Sequence, residues 1–211
     1  MARPGLFVTF EGMDGSGKTT QLARLAARLR QAGREVVETA EPGGTRIGRQ
    51  IREILLDERN RELAPRAELL LYFACRAQNV EEWILPALAR GAVVLSDRFT
   101  DSTMVYQGYG RGLGAAAVET LHAIACQGLQ PDLTLFLDID LETSLARARR
   151  RNEDAARRDR MDEQAAEFYR QVRDAYLDLA RRHPGRVRII RGGQPEDAVA
   201  AEIWEVVRAH V

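Results

Sequence analysis

Lysine is almost absent from this sequence: its 31 lysines and arginines include a single lysine, Lys18. Net charge is absent as well, because 31 acidic residues balance the basic ones, and this balance does not predict the basic surface of a nucleic-acid-binding protein. No apolar run approaches the ~18–20 residues that span a membrane, and the N-terminal residues do not resemble a signal peptide. We therefore expect a cytoplasmic protein that binds neither nucleic acid nor membrane.

Cysteine is scarce too, with two in the whole chain, Cys75 and Cys126. Both lie within apolar patterns of helical period. A disulfide between them requires an oxidising compartment, which nothing else in the sequence indicates. We predict that both are reduced residues of the core.

Short apolar runs alternate with longer segments of helical periodicity. Five runs have the character of buried strands: Leu6–Phe10, Glu35–Ala40, Ala92–Ser96, Asp132–Ile139 and Val187–Ile190. The first predicted helix has Leu22, Leu25, Ala26 and Leu29 on one face and ends at Gly33. The others are one around Ile47–Leu55, a long one over Ala64–Ala89 with a kink at Pro86, and helices near 115–127, 141–151, 163–182 and 196–209. A helix after every strand predicts an α/β fold with a five-stranded parallel sheet covered on both faces. At 211 residues, the chain is expected to form one domain, 1–211.

The single lysine belongs to a motif. Gly12-x4-Gly17-Lys18-Thr19 matches G-x-x-x-x-G-K-[ST] and lies between a predicted strand and a predicted helix. The glycines let backbone N–H groups surround a phosphate chain at a helix N-terminus. A compact ammonium can reach oxygens of two phosphates, whereas the planar fork of arginine would overfill the loop. The motif predicts a nucleotide-binding P-loop fold, with Thr19 as a Mg²⁺ ligand.

Nine residues of this loop are predicted to bind the phosphates of the nucleotide. They are Gly12, Met13, Asp14, Gly15, Ser16, Gly17, Lys18, Thr19 and Thr20. A GTPase needs a second lysine for its N-K-x-D motif, and a partition-type ATPase often has one early in the loop, where Met13 stands. A kinase that acts on a small molecule remains.

Four further clusters accompany the loop. Asp97-Arg98-Phe99 follows a buried strand, at the sheet edge where α/β proteins bind ligands. Glu41-Pro42-Gly43-Gly44-Thr45 follows the second strand, and Tyr72 to Arg76 combine aromatic residues with an arginine on one helix. The segment 147–160 consists of arginine in half of its 14 positions. Taken singly, these clusters are equally typical of turns, core packing and solvated charge.

Together they resemble one family, the bacterial thymidylate kinases. The resemblance includes FEGMDGSGKTT, EPGGT, ELLLYFACRAQ, LSDRFTDSTMVYQGYGRG, PDLTLFLDI and the arginine-rich segment, in the right order over nearly the whole chain. It implies a P-loop NTPase fold with a mobile lid of about 147–162, and transfer of the ATP γ-phosphoryl group to dTMP, giving dTDP and ADP for dTTP synthesis. It also implies a homodimer, with Mg²⁺ as cofactor.

The resemblance implies roles for the polar residues of the site. Lys18 holds the ATP phosphates, Asp14 lies near the acceptor 3′-hydroxyl and phosphate, Asp97 orders the Mg²⁺ shell, and Arg98 clamps the acceptor phosphate with help from Arg52. Arg76 hydrogen-bonds the base O4 and Tyr106 packs against the deoxyribose. Tyr72 stands where the family has the phenylalanine that stacks on thymine, with Phe73 as the alternative. The implied acceptor-binding residues are Asp14, Glu41, Pro42, Arg52, Tyr72, Phe73, Arg76, Arg98, Ser102, Thr103, Tyr106 and Gln107.

Tyr72 is one departure from the family pattern and Ala40 is a second, whereas Gly15 distinguishes between two types within the family. Gly15 stands where some members have a catalytic arginine, so the chain resembles the type in which the lid supplies that group. Arg151 aligns best with the lid arginine, and Arg147, Arg149 and Arg160 are supporting candidates. Arg147 and Arg149 are also expected to bind ATP, together with the loop residues. Ala40 replaces an arginine that many members have before EPGG, which leaves more of the acceptor phosphate to Arg98 and Arg52. Two alternatives stay open: a kinase for another nucleotide or nucleoside, and a non-catalytic ATP-binding switch.

Overall fold

A computed structural model describes residues 5–155 and 166–211, apart from the side chains of Arg149 and residues 151–155. Five strands form one parallel sheet: β1 (Leu6–Glu11), β2 (Val36–Ala40), β3 (Val93–Asp97), β4 (Leu133–Asp138) and β5 (Val187–Arg191). Their order across the sheet is β2-β3-β1-β4-β5. The parallel five-stranded sheet predicted from the sequence is confirmed.

The helices are α1 (Lys18–Gln31), α2 (Arg46–Leu56), α3 (Pro65–Asn79), α4 (Leu85–Ala89), α5 (Thr100–Thr103), α6 (Ala115–Cys126), α7 (Leu141–Ala155), α8 (Ala166–Arg182) and α9 (Glu196–Val207). Two π-helical segments interrupt them, Val80–Ile84 between α3 and α4, and Met104–Gly110 after α5. The first lies just before Pro86, whose ring removes a helical N–H donor and crowds the preceding turn. The disturbance expected at Pro86 therefore appears as a widened helix.

The helices cover both faces of the sheet. On one face, Val8, Leu95 and Leu135 pack against Leu25 of α1 and Ile203 of α9. Successive side chains of a strand point to opposite faces of the sheet. On the second face, the neighbouring strand residues, such as Phe7 and Phe136, therefore pack against α4 and α8. Both cysteines are buried and unpaired, as predicted. Within the described residues, no helix has the length and hydropathy needed to cross a bilayer.

The topology determines where a ligand can bind. The chain first builds the sheet on one side of β1, with β3 and β2, and then on the other side, with β4 and β5. Parallel α/β sheets bind ligands beyond the carboxyl ends of the strands, at this reversal. The ends of β1 and β3 are adjacent, since Phe10 pairs with Asp97.

The segment 100–110 is helical, which the sequence analysis did not predict. Its threonines, serine and glycines are poor helix formers, and tertiary packing compensates for them. A Cβ atom at Gly110 would lie 2.6 Å from Cε2 of Phe168, so the glycine lets α8 pack directly on this segment. The segment therefore presents Ser102, Thr103 and Tyr106 from a helix rather than from a loop.

Candidate active site

The loop from Gly12 to Gly17 joins β1 to the start of α1. Gly12 has a φ of 141°, and a Cβ atom there would lie 2.7 Å from the backbone oxygen of Leu137 on β4. Other residues rarely adopt this conformation, and a side chain does not fit. Both constraints explain why the motif begins with glycine at this position.

Lys18, the first residue of α1, is buried. Its ammonium donates to the backbone oxygens of Gly12, at 3.1 Å, and Met13, at 2.9 Å. Burial, with a contribution from the charge of Arg98, lowers the pKa of Lys18 to about 8. The side chain therefore carries its charge at neutral pH, inside the curve of the loop.

Helix α7 packs on the same loop at Gly15. A Cβ atom at Gly15 would lie 2.8 Å from both Cβ of Arg147 and the backbone oxygen of Ser144. Ser144 donates its hydroxyl to the backbone oxygen of Asp14 at 2.6 Å. An arginine at position 15 would displace α7, so the glycine found there is matched to the close approach of this helix.

The first cavity, of about 420 Å³, opens beside the loop. It is lined by residues 15–21 and by Arg147, as predicted for an ATP site, but also by Gly192, Gln194, Glu196 and Val199. The sequence analysis missed this second wall, which follows β5. The signal was the turn Gly192-Gly193-Gln194-Pro195 at the carboxyl end of a parallel strand, where ligands bind.

Thr19, which lines this cavity, contacts Asp97, so that a hydroxyl and a carboxylate oxygen lie side by side. The Thr19 hydroxyl donates to Oδ2 of Asp97 at 2.7 Å. Within the described residues, no cluster of three His, Cys, Asp or Glu could hold a metal ion. Mg²⁺ is commonly held by one or two protein oxygens together with substrate phosphates and water. One hydroxyl and one carboxylate in contact fit that requirement.

Arg98 follows β3 with a φ of 73°, in the left-handed region, where a residue other than glycine is strained. Its backbone is held on both sides: its N–H donates to the oxygen of Phe10 at 2.9 Å, and its own oxygen accepts from Ser96 at 2.7 Å. Its guanidinium donates to Asp14 at 2.8 Å and to Ser102 at 3.1 Å. These hydrogen bonds thus hold Arg98 in a backbone conformation that arginine rarely adopts by itself, and they fix the direction of its side chain.

Glu11 is a polar residue of the site region that the sequence analysis missed. It is fully buried at the end of β1 and accepts hydrogen bonds from the Phe99 N–H, at 2.8 Å, and from the hydroxyls of Ser102, at 2.5 Å, and Tyr176, at 2.7 Å. Burial, with the nearby charge of Asp101, raises the pKa of Glu11 to about 7. No local pattern distinguishes it from an ordinary strand residue, because its partners are 88 to 165 residues away.

The second cavity, of about 100 Å³, lies on the other side of the loop. It is lined by Asp14, Glu41, Pro42, Arg52, Leu56, Tyr72, Arg76, Arg98, Ser102, Thr103, Tyr106 and Gln107. Eleven of these twelve are acceptor-binding candidates from the sequence, and Leu56 is the addition. Segments more than 90 residues apart in the chain therefore meet in one cavity.

Phe73 is the candidate that the structure does not bring to this cavity. It is 3 % exposed and packs with Leu69 and Val118 between α3 and α6. Tyr72, one residue earlier, lines the cavity. Successive helical residues differ by about 100° in direction, so only one of the two can face it. Of the two aromatic candidates, the structure therefore brings only Tyr72 to this cavity.

Arg76 is 1 % exposed and lies at the base of the second cavity. Its Nε donates to Glu41 at 2.5 Å and its Nη2 donates to Thr103 at 3.0 Å, while Nη1 is buried and has no partner among the described residues. Burial raises the pKa of Glu41, against the opposing effect of the Arg76 charge. A buried N–H group without a partner is rare in proteins, and one beside a cavity is suited to a ligand oxygen.

The remaining polar residues of this cavity are also held in place. Gln107 donates to the buried carboxylate of Glu68 at 2.9 Å. Arg52 donates to the backbone oxygen of Pro42 at 2.7 Å. Tyr106 lies under the guanidinium of Arg98, 5.2 Å from its ring centre, and burial raises the pKa of Tyr106 to about 12. The cavity therefore combines fixed cations with fixed neutral donors and acceptors.

The arginine-rich segment is described only in part. Arg147 donates to the backbone oxygen of Gly15 at 3.4 Å. The side chains of Arg149 and Arg151, and the whole of Arg160, lie outside the described residues. Their roles stay predictions.

Comparison with known proteins gives consistent matches over nearly the whole chain. Residues 10–203 match the family model described as thymidylate kinase. A thymidylate kinase of Trichlorobacter lovleyi is 48% identical over 204 residues, covering 96% of each chain, and one of Deinococcus radiodurans is 48% identical over 203 residues, also covering 96% of each. The crystal structure of thymidylate kinase from Ehrlichia chaffeensis, 32% identical, superposes with a TM-score of 0.78 over 96% of this chain and 98% of that one.

Proposed function

Because the chain belongs to the thymidylate kinase family, we propose that its first cavity holds ATP with Mg²⁺ and its second cavity holds dTMP. The reaction is ATP + dTMP → ADP + dTDP, a step of nucleotide biosynthesis. One observation carries the assignment: the cavities meet at the phosphate loop, with Gly15 lining the first and Asp14 lining the second. Adjacent residues of one loop can therefore hold a donor and an acceptor phosphate side by side.

At the donor site, Lys18 and the loop N–H groups hold the β- and γ-phosphates, and Gly192 and Gln194 form the opposite wall beside the nucleoside. Thr19 and Asp97 would hold Mg²⁺, which neutralises phosphate charge when bound. Their hydroxyl–carboxylate contact of 2.7 Å supports this role.

At the acceptor site, Arg98 and Arg52 bind the dTMP phosphate, and Asp14 orients Arg98 and faces the 3′-hydroxyl. Support comes from the bond between Arg98 and Asp14, which holds the guanidinium with donors to spare. Two polyanions must approach each other in this reaction, so fixed cations between them lower the barrier.

For the base, we assign stacking to Tyr72 and recognition of O4 to Nη1 of Arg76, with Ser102, Thr103 and Gln107 along the edge. The buried and unpartnered Nη1 supports this assignment, because an acceptor oxygen there satisfies a donor that is otherwise costly. Tyr106 packs against the deoxyribose. Cytosine has an amino group in place of O4. That amino group and Nη1 of Arg76 would both be donors, so no hydrogen bond could form between them.

The test is turnover of ATP–Mg²⁺ with a panel of acceptors: dTMP, dUMP, dCMP, dGMP, UMP and thymidine. We expect kcat/KM for dTMP to exceed that for dUMP about tenfold or more, since one methyl group in a fitted pocket gives that discrimination, and to exceed that for dCMP further. Chelation of Mg²⁺ with EDTA should stop turnover. A preference for another acceptor would contradict the assignment of the base-recognition residues.

For the chain as a whole, we propose one cytoplasmic domain over 1–211 with a lid segment of about 147–162, assembled as a homodimer through the helices beside the acceptor site. Leu70 on α3 is 56% exposed and Ile124 on α6 is 73% exposed. These helices pack on each other, so the two apolar residues lie on neighbouring elements. Such residues are typical of a surface that a second copy covers.

The dimer is tested by static light scattering at micromolar concentration. We expect twice the mass of one chain, and one chain's mass for Ile124→Glu, because a buried unpaired carboxylate opposes association. Ile189→Glu, at another exposed apolar residue, is the control and should stay dimeric. A monomeric unmodified chain would refute the proposal.

A further inference from the structure

The carboxylate of Glu11 is fully buried directly before the phosphate loop, and it lines neither cavity. It accepts three hydrogen bonds, from the Phe99 N–H and the hydroxyls of Ser102 and Tyr176. An ionised carboxylate accepts all three bonds more strongly than a neutral carboxyl does, because the negative charge strengthens each of them. The arrangement therefore favours a negative charge that is out of contact with solvent.

Two of these bonds lead to Arg98. Phe99 is the residue after Arg98, so the bond to its N–H holds the chain just beyond the strained φ of 73°. Ser102 donates to Glu11 and at the same oxygen accepts from Nη1 of Arg98 at 3.1 Å. Glu11 thus acts on both the backbone and the guanidinium of Arg98 without contacting either directly.

The third bond leads to α8. Tyr176 is fully buried, and its ring stacks on Phe136 of β4 at 4.8 Å. Its hydroxyl lies 2.9 Å from Ser102 and 2.7 Å from Glu11. The same carboxylate therefore fixes α8 and the segment that carries Ser102.

We propose that Glu11 is a positioning residue for acceptor binding: its ionised carboxylate holds Arg98 in the orientation that receives the dTMP phosphate. The inference rests on the proposed role of Arg98. Burying a carboxylate costs desolvation free energy, and an apolar residue could end the strand without that cost. Here the negative charge also balances Arg98 and Lys18, both of which must stay fixed before the phosphates arrive.

The groups facing Glu11 determine how it responds to pH. Arg98 and Lys18 favour the ionised form, as do the hydroxyls of Ser102 and Tyr176, whereas Asp101 and burial disfavour it. With a pKa of about 7, Glu11 gains a proton as the pH falls below neutrality. The added proton removes the negative charge and turns one acceptor site into a donor, so the bonds that support Arg98 weaken.

The main variant is Glu11→Gln, which keeps the size and removes the charge. We expect the KM for dTMP to rise about tenfold or more, in keeping with the loss of a charge-assisted bond, and the KM for ATP to change less than threefold. The matched control is Asp138→Asn, at the end of β4, whose carboxylate binds Arg173 of α8 at 2.7 Å and 2.9 Å but does not contact Arg98. It should change the KM for dTMP less than threefold.

A double-mutant cycle separates positioning from general destabilisation. If Glu11 acts through Arg98, Glu11→Gln in an Arg98→Met background should change the KM for dTMP less than twofold. If the two substitutions raised the KM for dTMP independently, so that the double variant showed the product of the single effects, the inference would be overturned. An unaltered KM in Arg98→Met alone would refute the proposed role of Arg98, whereas an impaired Arg98→Met with a normal Glu11→Gln would refute only the role of Glu11.

The pH profile of kcat/KM for dTMP gives a readout that does not require Glu11→Gln to fold. The profile should fall below pH 7, and Tyr176→Phe should move its midpoint to higher pH, because losing a donor raises the pKa of a carboxyl further. Ionisation of the dTMP phosphate affects the original chain and Tyr176→Phe equally, so it does not contribute to the difference between their midpoints. A midpoint that does not move in Tyr176→Phe would overturn the inference.

Discussion

Replacing Lys18 with methionine or with arginine is expected to lower kcat about 10²- to 10³-fold, the usual cost of removing one group that stabilises charge in the transition state. Methionine removes the charge. Arginine keeps it, but the Lys18 ammonium lies 3.1 Å and 2.9 Å from two backbone oxygens of the loop, with no room for a planar guanidinium. This explains why a chain with 30 arginines, 31 basic residues less one lysine, keeps lysine here.

The measurement is kcat at saturating ATP–Mg²⁺ and dTMP, with thermal melting to verify folding. Arg24→Met is the control, since Arg24 lies on the same helix, half-exposed and bound to Asp197, and it should keep kcat within twofold of the original chain. If Lys18→Arg kept more than about a tenth of the activity, the steric argument for lysine would be wrong, although the loop would still bind phosphate.

The strands were predictable because each is a local apolar pattern. All five predicted strands end within one residue of the observed ones. Parallel strands bring their carboxyl ends to one edge, so the residues after β1, β2 and β3 could be grouped from the sequence. The segment 100–110 was not predictable in this way, because packing against α8 overrides its low helix propensity.

Within the site, residues with a sequence motif were found and those defined by distant partners were missed. Arg98 follows a strand in a distinctive tripeptide, but its left-handed backbone becomes understandable only with the bonds from Phe10 and Ser96. Glu11 reads as one more strand residue until three donors converge on it. The choice between Tyr72 and Phe73 depends on the orientation of α3. The sequence leaves the helix register uncertain by at least one residue, which is enough to exchange the two side chains.

The absence of a side chain at Gly15 connects the loop to the lid segment. Because Gly15 has no Cβ atom, α7 packs closely on the loop. Ser144 and Arg147 of α7 both donate hydrogen bonds to backbone oxygens of the loop. Arg151 is four residues beyond Arg147, a spacing that places two positions on the same face of a helix. The close packing at Gly15 therefore supports the prediction that an arginine of α7 acts at this loop.

Replacing Arg151 with methionine is accordingly expected to lower kcat about 10³- to 10⁵-fold, the range for an arginine supplied to a phosphoryl transfer. The Kd values for ATP and dTMP should change little, because this group acts on charge that develops only in the transition state. Single-turnover kinetics with equilibrium binding of each nucleotide would separate the two effects.

Arg150→Met is the matched control for Arg151, since position 150 is exposed on the same helix and directly adjacent in the sequence. Neighbouring helical positions face different directions, so Arg150→Met should leave kcat within twofold. Equal losses in both variants would indicate that the segment contributes net charge rather than one placed guanidinium. Full activity in Arg151→Met with intact nucleotide binding would exclude Arg151, and Arg147, already bonded to the loop at Gly15, would then be the arginine to test.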